Sequence, residues 1–291
     1  MTKIIVIAGA TGVGKSAIAK KLATEFNLSV INSDASQMHY WMDIGTANID
    51  DEASDVFYEL YKFFDPDYDF SIKDYQDLAR KRVGNYSSVI VCGGSGLYID
   101  ALCLDLDLES KKRSADYSSY SNEELYELLT KLNIELANKT HPNNRKRVER
   151  YLEIAQDGTD KKREPVEVYD CLFINLELPR EVLYSRINAR CIKMFDDGWI
   201  NEAKELLRKG YDLSKITEIG YSDIGLFLDG TLSYEEMIDQ IQKKTRHYAK
   251  RQLTWFRGAK KKYHNYFVFN PQTDYCSIRQ EVEKFLNQNG N

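Results

Sequence analysis

Eight residues near the amino terminus have the types and spacing of a phosphate-binding loop. They match the pattern Gly-x-x-x-x-Gly-Lys-Ser and are Gly9, Ala10, Thr11, Gly12, Val13, Gly14, Lys15 and Ser16. In such a loop the backbone N–H groups converge on phosphate oxygens, the lysine neutralises an outer phosphate and the hydroxyl can ligate Mg²⁺. ATP is the default occupant of this kind of site, but any diphosphate compound satisfies the same donors.

A carboxylate follows the second apolar run of the chain. Asp34 comes after residues 28–31, so we expect it at the carboxyl end of a strand, facing the phosphate-binding loop across a crevice. This position makes Asp34 a candidate catalytic residue, although spacing alone favours an ordinary N-cap or turn aspartate. Gln37 carries a donor and an acceptor on one amide and can pair with an adenine edge, or it is merely solvated.

Two further segments could bring polar groups to the same crevice. Residues 93–98 read Gly-Gly-Ser-Gly-Leu-Tyr, which is either a tight strand-to-helix turn or a device that presents the Ser95 hydroxyl. Arg145, Lys146, Arg147 and Arg150 form a basic turn of a predicted helix, which is either solvated or in contact with phosphates.

Charge is distributed very unevenly along the chain. Forty basic and 45 acidic residues give a net charge of −5, but residues 243–262, here called the basic segment, contain nine basic residues and no acidic one. These nine are Lys243, Lys244, Arg246, Lys250, Arg251, Arg257, Lys260, Lys261 and Lys262. Tyr248, Trp255 and Phe256 lie among them, a mixture that favours a nucleic-acid surface over a simple solvated helix face.

The spacing of apolar residues predicts the strands and helices that position these candidate groups. Residues 4–8 form a short β-branched run typical of a strand buried on both faces, residues 16–26 have helical periodicity, and residues 28–31 predict the next strand. Further strands are predicted at residues 88–92 and 171–176, and helices at 74–83, 143–155 and 234–256. We therefore expect an α/β fold with a P-loop NTPase-like core, in which helices flank a parallel sheet.

The composition changes between residues 104 and 140, where Asp, Glu, Ser, Lys and Tyr dominate. Only residues 123–136 have a helical pattern there, carried by Leu125, Leu128, Leu129 and Leu132. We predict a small helical insertion at 104–140 within a core formed by residues 1–103 and 141–291.

Other classes of protein are excluded by simple counts. The longest apolar runs fall far short of the ~18 to 20 residues needed to cross a bilayer. Five cysteines are scattered without a C-x-x-C pair, which predicts neither a disulfide framework nor a zinc site. The amino terminus lacks the features of a signal peptide, so we expect a cytoplasmic protein.

Seven segments together resemble the tRNA dimethylallyltransferase family, also called the tRNA isopentenyltransferase family. In order along residues 9–257 they read GATGVGKS, INSDASQ, MDIGTA, GGSGLY, HPNNRKRVER, IGY and TRHYAKRQLTWFR. The resemblance implies transfer of a dimethylallyl group from dimethylallyl diphosphate to N6 of the adenine immediately 3′ of the tRNA anticodon, with release of diphosphate. It also implies that the helical insertion grips the anticodon arm.

The resemblance assigns roles to individual residues. The phosphate-binding loop would hold the donor's diphosphate, with Mg²⁺ at Ser16, and the catalytic residues would be Lys15, Asp34 and Ser95. Asp34 would accept a hydrogen bond or proton from the adenine amine. The implied tRNA contacts are Asp34, Ala35, Ser36, Gln37, Ser95, Lys146, Arg147, Val148, Glu149, Arg150, Lys250, Arg251, Gln252 and Arg257.

This chemistry is coherent, because an exocyclic adenine nitrogen is a weak nucleophile and needs an ionising allylic carbon, a stabilised leaving group and a nearby carboxylate. The adenine must also leave its stack to reach a protein pocket. Three other functions stay open: a P-loop nucleotide kinase, a prenyltransferase of free adenine nucleotides, and a nucleotide-gated RNA-binding protein. For the favoured function we expect tRNA and dimethylallyl diphosphate as partners, no membrane, and a monomer.

Overall fold

Six parallel strands form one sheet in the computed structural model, with the order β3-β2-β4-β1-β5-β6. The strands are β1 (Lys3–Gly9), β2 (Val30–Asn32), β3 (Tyr58–Glu59), β4 (Ser88–Gly93), β5 (Asp170–Leu176) and β6 (Asn265–Phe269). The structure describes residues 2–48, 55–68, 70–106, 108, 116–157 and 165–288. The expected α/β fold with a parallel sheet is confirmed.

Helices separate consecutive strands along the chain. They are α1 (Lys15–Phe26), α2 (Asp43–Thr46), α3 (Ile72–Val83), α4 (Gly96–Cys103), α5 (Asn122–Leu132), α6 (Ile134–Ala137), α7 (Arg145–Asp157), α8 (Arg180–Asp196), α9 (Trp199–Arg208), α10 (Tyr221–Leu228), α11 (Tyr234–Ala259) and α12 (Tyr275–Asn287), with a 3₁₀ turn at Ala35–Met38. The helices predicted at 16–26, 74–83, 143–155 and 234–256 are all present, within a few residues of their predicted ends.

The central strand β1 explains why helices are needed on both faces. Its residues Ile4 to Ala8 are completely buried. Because side chains alternate along a strand, Ile5 and Ile7 enter one core cluster while Ile4 and Val6 enter another on the opposite face. An apolar run without polar alternation therefore specifies a strand in the middle of a two-sided core.

The longest helix, α11, carries the basic segment. Its start is fixed by a capping box, in which the Ser233 hydroxyl accepts a hydrogen bond from the Glu236 amide and the Glu236 carboxylate accepts one from the Ser233 amide. Ala249 and Phe256 bury one face of the helix in the core. No helix among the described residues is long and apolar enough to span a membrane.

The chain divides into a larger unit, Met1–Leu106 with Val166–Asn291, and a smaller unit, Asp107–Pro165. The smaller unit has its own core, in which Leu125 and Leu129 of α5 pack with Val148 and Leu152 of α7. This boundary differs from the predicted insertion at 104–140, because α7 buries its apolar side chains against α5 and so belongs with the smaller unit. At the other end, Leu104 is completely buried in the core of the larger unit.

Candidate active site

A cavity of about 540 Å³ lies in the larger unit at the carboxyl ends of β1, β2 and β4. The phosphate-binding loop contributes Lys15 and Ser16 to its wall, and the segment after β2 contributes Asp34 and Gln37. Helices α8 and α11 form other parts of the lining. Two of the sequence-predicted groups, the phosphate-binding loop and the Asp34 segment, therefore face one cavity, as expected for the carboxyl edge of a parallel sheet.

The phosphate-binding loop has the backbone geometry that its glycines predict. Gly9 has φ +148°, and a Cβ there would stand 2.6 Å from the carbonyl oxygen of Leu176. Gly14 has φ +111° and immediately precedes α1, so the first amides of that helix are available to an anion.

Lys15 is the central cation of the loop. Its Nζ donates a hydrogen bond to the Ala10 carbonyl at 3.2 Å. Burial lowers the pKa of the Lys15 ammonium below its usual range, and the nearby Asp34 carboxylate opposes this shift. A bound diphosphate would supply the negative charge that favours the protonated lysine.

Two arginines of α8, Arg186 and Arg190, also line the cavity, although they lie outside every motif in the sequence. Arg190 Nη1 lies 3.4 Å from the Thr11 hydroxyl, and burial lowers the pKa of its guanidinium while Asp34 opposes the shift. Among the residues that the structure describes, the cavity is lined by two carboxylates, Asp34 and Glu218, and by four cations, Lys15, Arg186, Arg190 and Arg251. The four-residue spacing of the two arginines places them on one helix face, but that pattern alone does not distinguish them from a solvated face.

Asp34 is both a capping residue and a wall of the cavity. Its Oδ1 accepts hydrogen bonds from the amide (3.3 Å) and the hydroxyl (3.2 Å) of Ser36, which caps the 3₁₀ turn. Its backbone is held by Asn32, which accepts from the Asp34 amide at 2.8 Å and donates to its carbonyl at 3.0 Å. Asp34 Oδ1 therefore has the expected N-cap role, while Oδ2 is the oxygen that could take part in chemistry.

The second carboxylate oxygen, Asp34 Oδ2, lies near Gly94, as does Lys15 of the phosphate-binding loop. A Cβ on Gly94 would stand 3.0 Å from Asp34 Oδ2 and 3.4 Å from Lys15 Nζ, so both atoms border the same small space. The Gln252 amide nitrogen would be closer still to such a Cβ, so a glycine at this position leaves room for the Gln252 side chain beside Asp34 and Lys15.

Gln252, predicted as a tRNA contact, uses both ends of its amide within the protein. Its Oε1 accepts a hydrogen bond from the Thr11 amide at 2.8 Å, and its Nε2 donates to the Gly94 carbonyl at 2.9 Å. The side chain is buried, with 4% of its surface exposed. Gln252 therefore ties the phosphate-binding loop to the turn before α4.

Ser95 and Gln37 also make internal contacts that spacing could not reveal. The Ser95 hydroxyl accepts a hydrogen bond from the Ala35 amide at 3.2 Å, which joins the turn before α4 to the 3₁₀ turn. Gln37 Nε2 donates to the Ala47 carbonyl at 2.9 Å. One donor of the Gln37 amide is thus committed to shaping the loop, and its side chain still lines the cavity.

The segment MDIGTA, residues 42–47, has no chemical role that the sequence suggests. In the structure, Glu202 on α9 binds the backbone of this segment. Its carboxylate accepts hydrogen bonds from the amides of Ile44 (2.6 Å) and Gly45 (2.9 Å) and from the Tyr221 hydroxyl (2.8 Å). Burial raises the pKa of Glu202, and the two backbone hydrogen bonds oppose that shift. This anchor holds the loop that contributes Gly45, Thr46 and Ala47 to the cavity wall.

Three cations of the basic segment contact partners within the protein, and most of the nine are exposed. Lys244 pairs with Asp223 at 2.6 Å, Lys262 pairs with Asp100 at 2.5 Å, and Arg246 donates to Asn188 at 2.7 Å. The exposed cations are Lys243, Lys244, Lys250, Arg251, Arg257, Lys260 and Lys261. Of these, Arg251 lines the cavity.

The predicted tRNA-contact stretch at 146–150 lies on α7 of the smaller unit. Lys146, Arg147 and Arg150 are exposed, whereas Val148 is completely buried in that unit's core. Glu149 pairs with Arg145 at 2.8 Å. The stretch therefore presents three cations to solvent, and its other two predicted residues support the helix.

A model of the IPP transferase family matches residues 37–259. The chain belongs to the IPP transferase family. The chain is similar to family members named tRNA dimethylallyltransferase: it is 37% identical to the one from Halalkalibacterium halodurans, with 88% of each chain covered. It is 35% identical to the one from Alkaliphilus oremlandii, with 98% of this chain and 96% of the relative covered.

The fold of this IPP transferase family protein is also similar to solved structures. The tRNA isopentenylpyrophosphate transferase of Bacillus halodurans superposes with a TM-score of 0.74 at 34% identity, covering 98% of this chain and 97% of the other. A eukaryotic dimethylallyltransferase captured acting on tRNA gives a TM-score of 0.80 at 25% identity, covering 99% of this chain and 84% of the other. The family assignment thus agrees with the resemblance in the sequence motifs.

Proposed function

We propose that this IPP transferase family protein transfers a dimethylallyl group from dimethylallyl diphosphate to N6 of the adenine immediately 3′ of the tRNA anticodon, releasing diphosphate. The observation that carries the proposal is the meeting of Lys15 and Asp34 around Gly94. A phosphate-binding cation and a carboxylate that border one space are suited to a diphosphate leaving group on one side and an amine nucleophile on the other. The names of the relatives support the same activity.

The donor end of the cavity is the phosphate-binding loop with α8. The first backbone amides of α1, Lys15 and Arg190 would hold the diphosphate and stabilise its growing charge as the C–O bond breaks. Ile187, Met194 and Ile241 also line the cavity and offer apolar surface to the five-carbon group. The cavity therefore offers cations to the diphosphate of the donor and apolar side chains to its hydrocarbon group.

Magnesium fits this site through its oxygen donors. Among the residues that the structure describes, no group of three or more His, Cys, Asp or Glu side chains could hold a metal ion. Ser16, at the first turn of α1, offers a hydroxyl oxygen to the cavity, and Mg²⁺ is commonly held by one protein oxygen together with substrate phosphates. Bound there, the ion would neutralise charge on the departing diphosphate.

The acceptor end is the Asp34 segment with α11. As N6 of an extruded adenine bonds to the allylic carbon and the carbon–oxygen bond to diphosphate breaks, N6 must lose a proton. Asp34 is the group that would accept it, and Ser36 holds its other oxygen in place. Gln37 and Tyr248 line this side of the cavity and would orient the base, and the Ser95 hydroxyl holds the Asp34 segment by accepting a hydrogen bond from the Ala35 amide.

The remaining tRNA contacts would come from exposed cations. Lys250, Arg251 and Arg257 on α11, and Lys146, Arg147 and Arg150 on α7, are exposed and suited to phosphates. We assign the smaller unit to the grip on the anticodon arm. We also propose that the protein acts as a monomer and works in the cytoplasm, where it would meet its tRNA substrate.

One assay tests this function. The protein is incubated with dimethylallyl diphosphate, Mg²⁺ and an anticodon stem-loop that carries consecutive adenines 3′ of the anticodon, and the RNA is weighed by mass spectrometry. We expect a gain of one dimethylallyl group, and no gain when the target adenine is replaced by purine, which lacks the amine. Modification of free AMP alone, or turnover of ATP alone, would contradict the proposal.

A further inference from the structure

Trp41 has a backbone conformation that its side chain makes costly. Its φ is +65°, in the left-handed region that bulky residues rarely adopt. Leu60 has a similar φ of +64° but is buried in the core, so packing offsets the strain there. Trp41 is 51% exposed, and core packing does not explain why an indole rather than a glycine occupies this position.

The Trp41 ring belongs to an exposed aromatic and cationic cluster. Lys209 Nζ lies 3.9 Å from the centre of the indole, and the neighbouring Tyr40 ring is 6.3 Å away at a tilt of 45°. Tyr40 is 42% exposed. We call Tyr40, Trp41 and Lys209 the Trp41 surface.

The loop that carries this surface is firmly held. Met38 on one side and Met42 on the other are completely or almost completely buried, and the Tyr40 amide donates to the Phe64 carbonyl at 2.8 Å. The indole is therefore presented to solvent by a fixed backbone, which lowers the entropic cost of binding a partner.

The same loop forms part of the active-site cavity. Gln37 and Gly45, on either side of Trp41 in the chain, both line the cavity. Helix α9 begins at cavity-lining Trp199 and has ten residues before Lys209, a length of about 15 Å. At the stacked rise of about 3.4 Å per nucleotide, that distance corresponds to about four nucleotides of RNA.

The charges of the Trp41 surface suit a nucleotide. Asp43, the acidic residue nearest to Trp41 in this loop, is paired with Lys62 at 3.1 Å, and Lys209 supplies an exposed cation beside the indole. Every base has a flat face that stacks on an aromatic ring, and its phosphate seeks a cation.

We propose that the Trp41 surface stacks on a base of the RNA substrate within about four nucleotides of the target adenine, with Lys209 next to that nucleotide's phosphate. This inference rests on the proposed function, because the RNA substrate is part of that proposal. It adds a recognition surface that the sequence motifs do not include.

The test compares three variants at one position with a matched control. Trp41→Gly and Trp41→Ala remove the ring, Trp41→Phe keeps an aromatic face, and Phe57→Ala removes a different aromatic side chain that is 63% exposed. The dissociation constant of the anticodon stem-loop is measured by titration, and the thermal midpoint is measured for each protein. Trp41→Gly also relieves the strained backbone, so its midpoint should equal or exceed that of the wild type.

We expect Trp41→Gly and Trp41→Ala to weaken RNA binding by about 5- to 100-fold, the range for loss of one stacked base. Trp41→Phe should stay within about threefold of the wild type, and Phe57→Ala should not change binding. RNA binding by Trp41→Gly at wild-type strength would overturn the inference, as would an equal loss in Phe57→Ala. Prenyl transfer by the wild type is scored separately by RNA mass, so failure of the proposed function is distinguished from failure of this surface.

Discussion

At the residue scale, Asp34 shows how one carboxylate can serve both the fold and the chemistry. One oxygen caps the 3₁₀ turn through Ser36, while the other borders the space around Gly94 that Lys15 also faces. Asn32 holds the backbone of Asp34 at two points. The carboxylate is therefore fixed before any substrate binds, as catalysis by positioning requires.

Replacing Asp34 with asparagine should separate catalysis from binding. The amide oxygen of Asn can still accept from Ser36, so the turn is kept, but the side chain can no longer take a proton. We expect turnover to fall by about 10²- to 10⁴-fold, with RNA affinity within about threefold of the wild type. Single-turnover rates and RNA titrations measure the two effects, and Ser36→Ala controls for loss of the hydroxyl bond to Asp34 while keeping the backbone cap. Normal turnover in Asp34→Asn would refute the assignment.

Gln252 should behave as a positioning residue for the donor. In Gln252→Glu a carboxylate replaces the donor to Gly94 and adds negative charge beside the phosphate-binding loop. We expect the KM for dimethylallyl diphosphate to rise about tenfold or more, the cost of one buried hydrogen bond to a backbone group, with RNA affinity unchanged. Gln242→Glu, on the same helix with a single bond to Asn188, is the control. The reverse pattern, a weaker affinity for RNA with a normal KM for the donor, would contradict this role and indicate that Gln252 contacts the tRNA.

At the element scale, α11 both completes the core and presents cations. Phe256 and Ala249 are buried, Gln252 joins the active site, and Lys250 and Arg257 are exposed. Arg257 follows Lys250 by seven positions, so the two lie on one face of the helix, two turns apart. One helix therefore links the donor site to a surface suited to RNA.

Charge reversal on this face should weaken RNA binding in a salt-dependent way. For Lys250→Glu with Arg257→Glu, we expect a lower affinity for the stem-loop and a salt slope reduced by about 1.4 to 1.8, for two lost phosphate contacts. The donor KM should not change. Lys20→Glu with Lys81→Glu, at exposed lysines of α1 and α3, matches the change in net charge and is the control. If the double variant has the wild-type salt slope, this face of α11 does not contact the RNA backbone.

At the scale of the whole molecule, the cavity couples binding to stability. Its wall combines residues from the phosphate-binding loop, the Asp34 segment, α8, α9 and α11, which lie far apart in the sequence. A diphosphate bound there holds these elements together only in the folded state. Its binding free energy is therefore added to the free energy of unfolding.

We expect inorganic diphosphate with Mg²⁺ to raise the thermal midpoint of the protein, and the gain to shrink as the pH rises. Ligand at a hundred times its dissociation constant adds about 2.7 kcal/mol. Burial lowers the pKa of Lys15 in the free protein, and a bound anion raises it again, so binding takes up a proton and weakens as that lysine deprotonates. Thermal shifts at about pH 7 and about pH 9.5 measure this.

Lys15→Arg is the matched control for the pH effect, because a guanidinium stays protonated across this range. The thermal shift of this variant should depend much less on pH than that of the wild type. An equal decline in both proteins would exclude Lys15 as the titrating group.

The sequence by itself determined the parts of this protein that neighbouring residues encode. A continuous apolar run predicts β1, apolar periodicity predicts α1 and α11, and eight consecutive residues predict the phosphate-binding loop. It also placed Asp34 and Lys15 at one edge of the sheet, because the carboxyl ends of parallel strands meet there. These predictions succeeded where the physical cause lies within a few residues of its effect.

Only the tertiary structure decided what those groups touch. Gln252 contacts Thr11 across 241 residues of chain, Glu202 holds Ile44 across 158, and Arg190 reaches Thr11 across 179. The smaller unit includes α7 because Val148 and Leu152 pack on α5, a pairing that composition does not show. Such contacts depend on how distant elements pack together, and a helical pattern reveals which face is apolar without revealing the surface that will cover it.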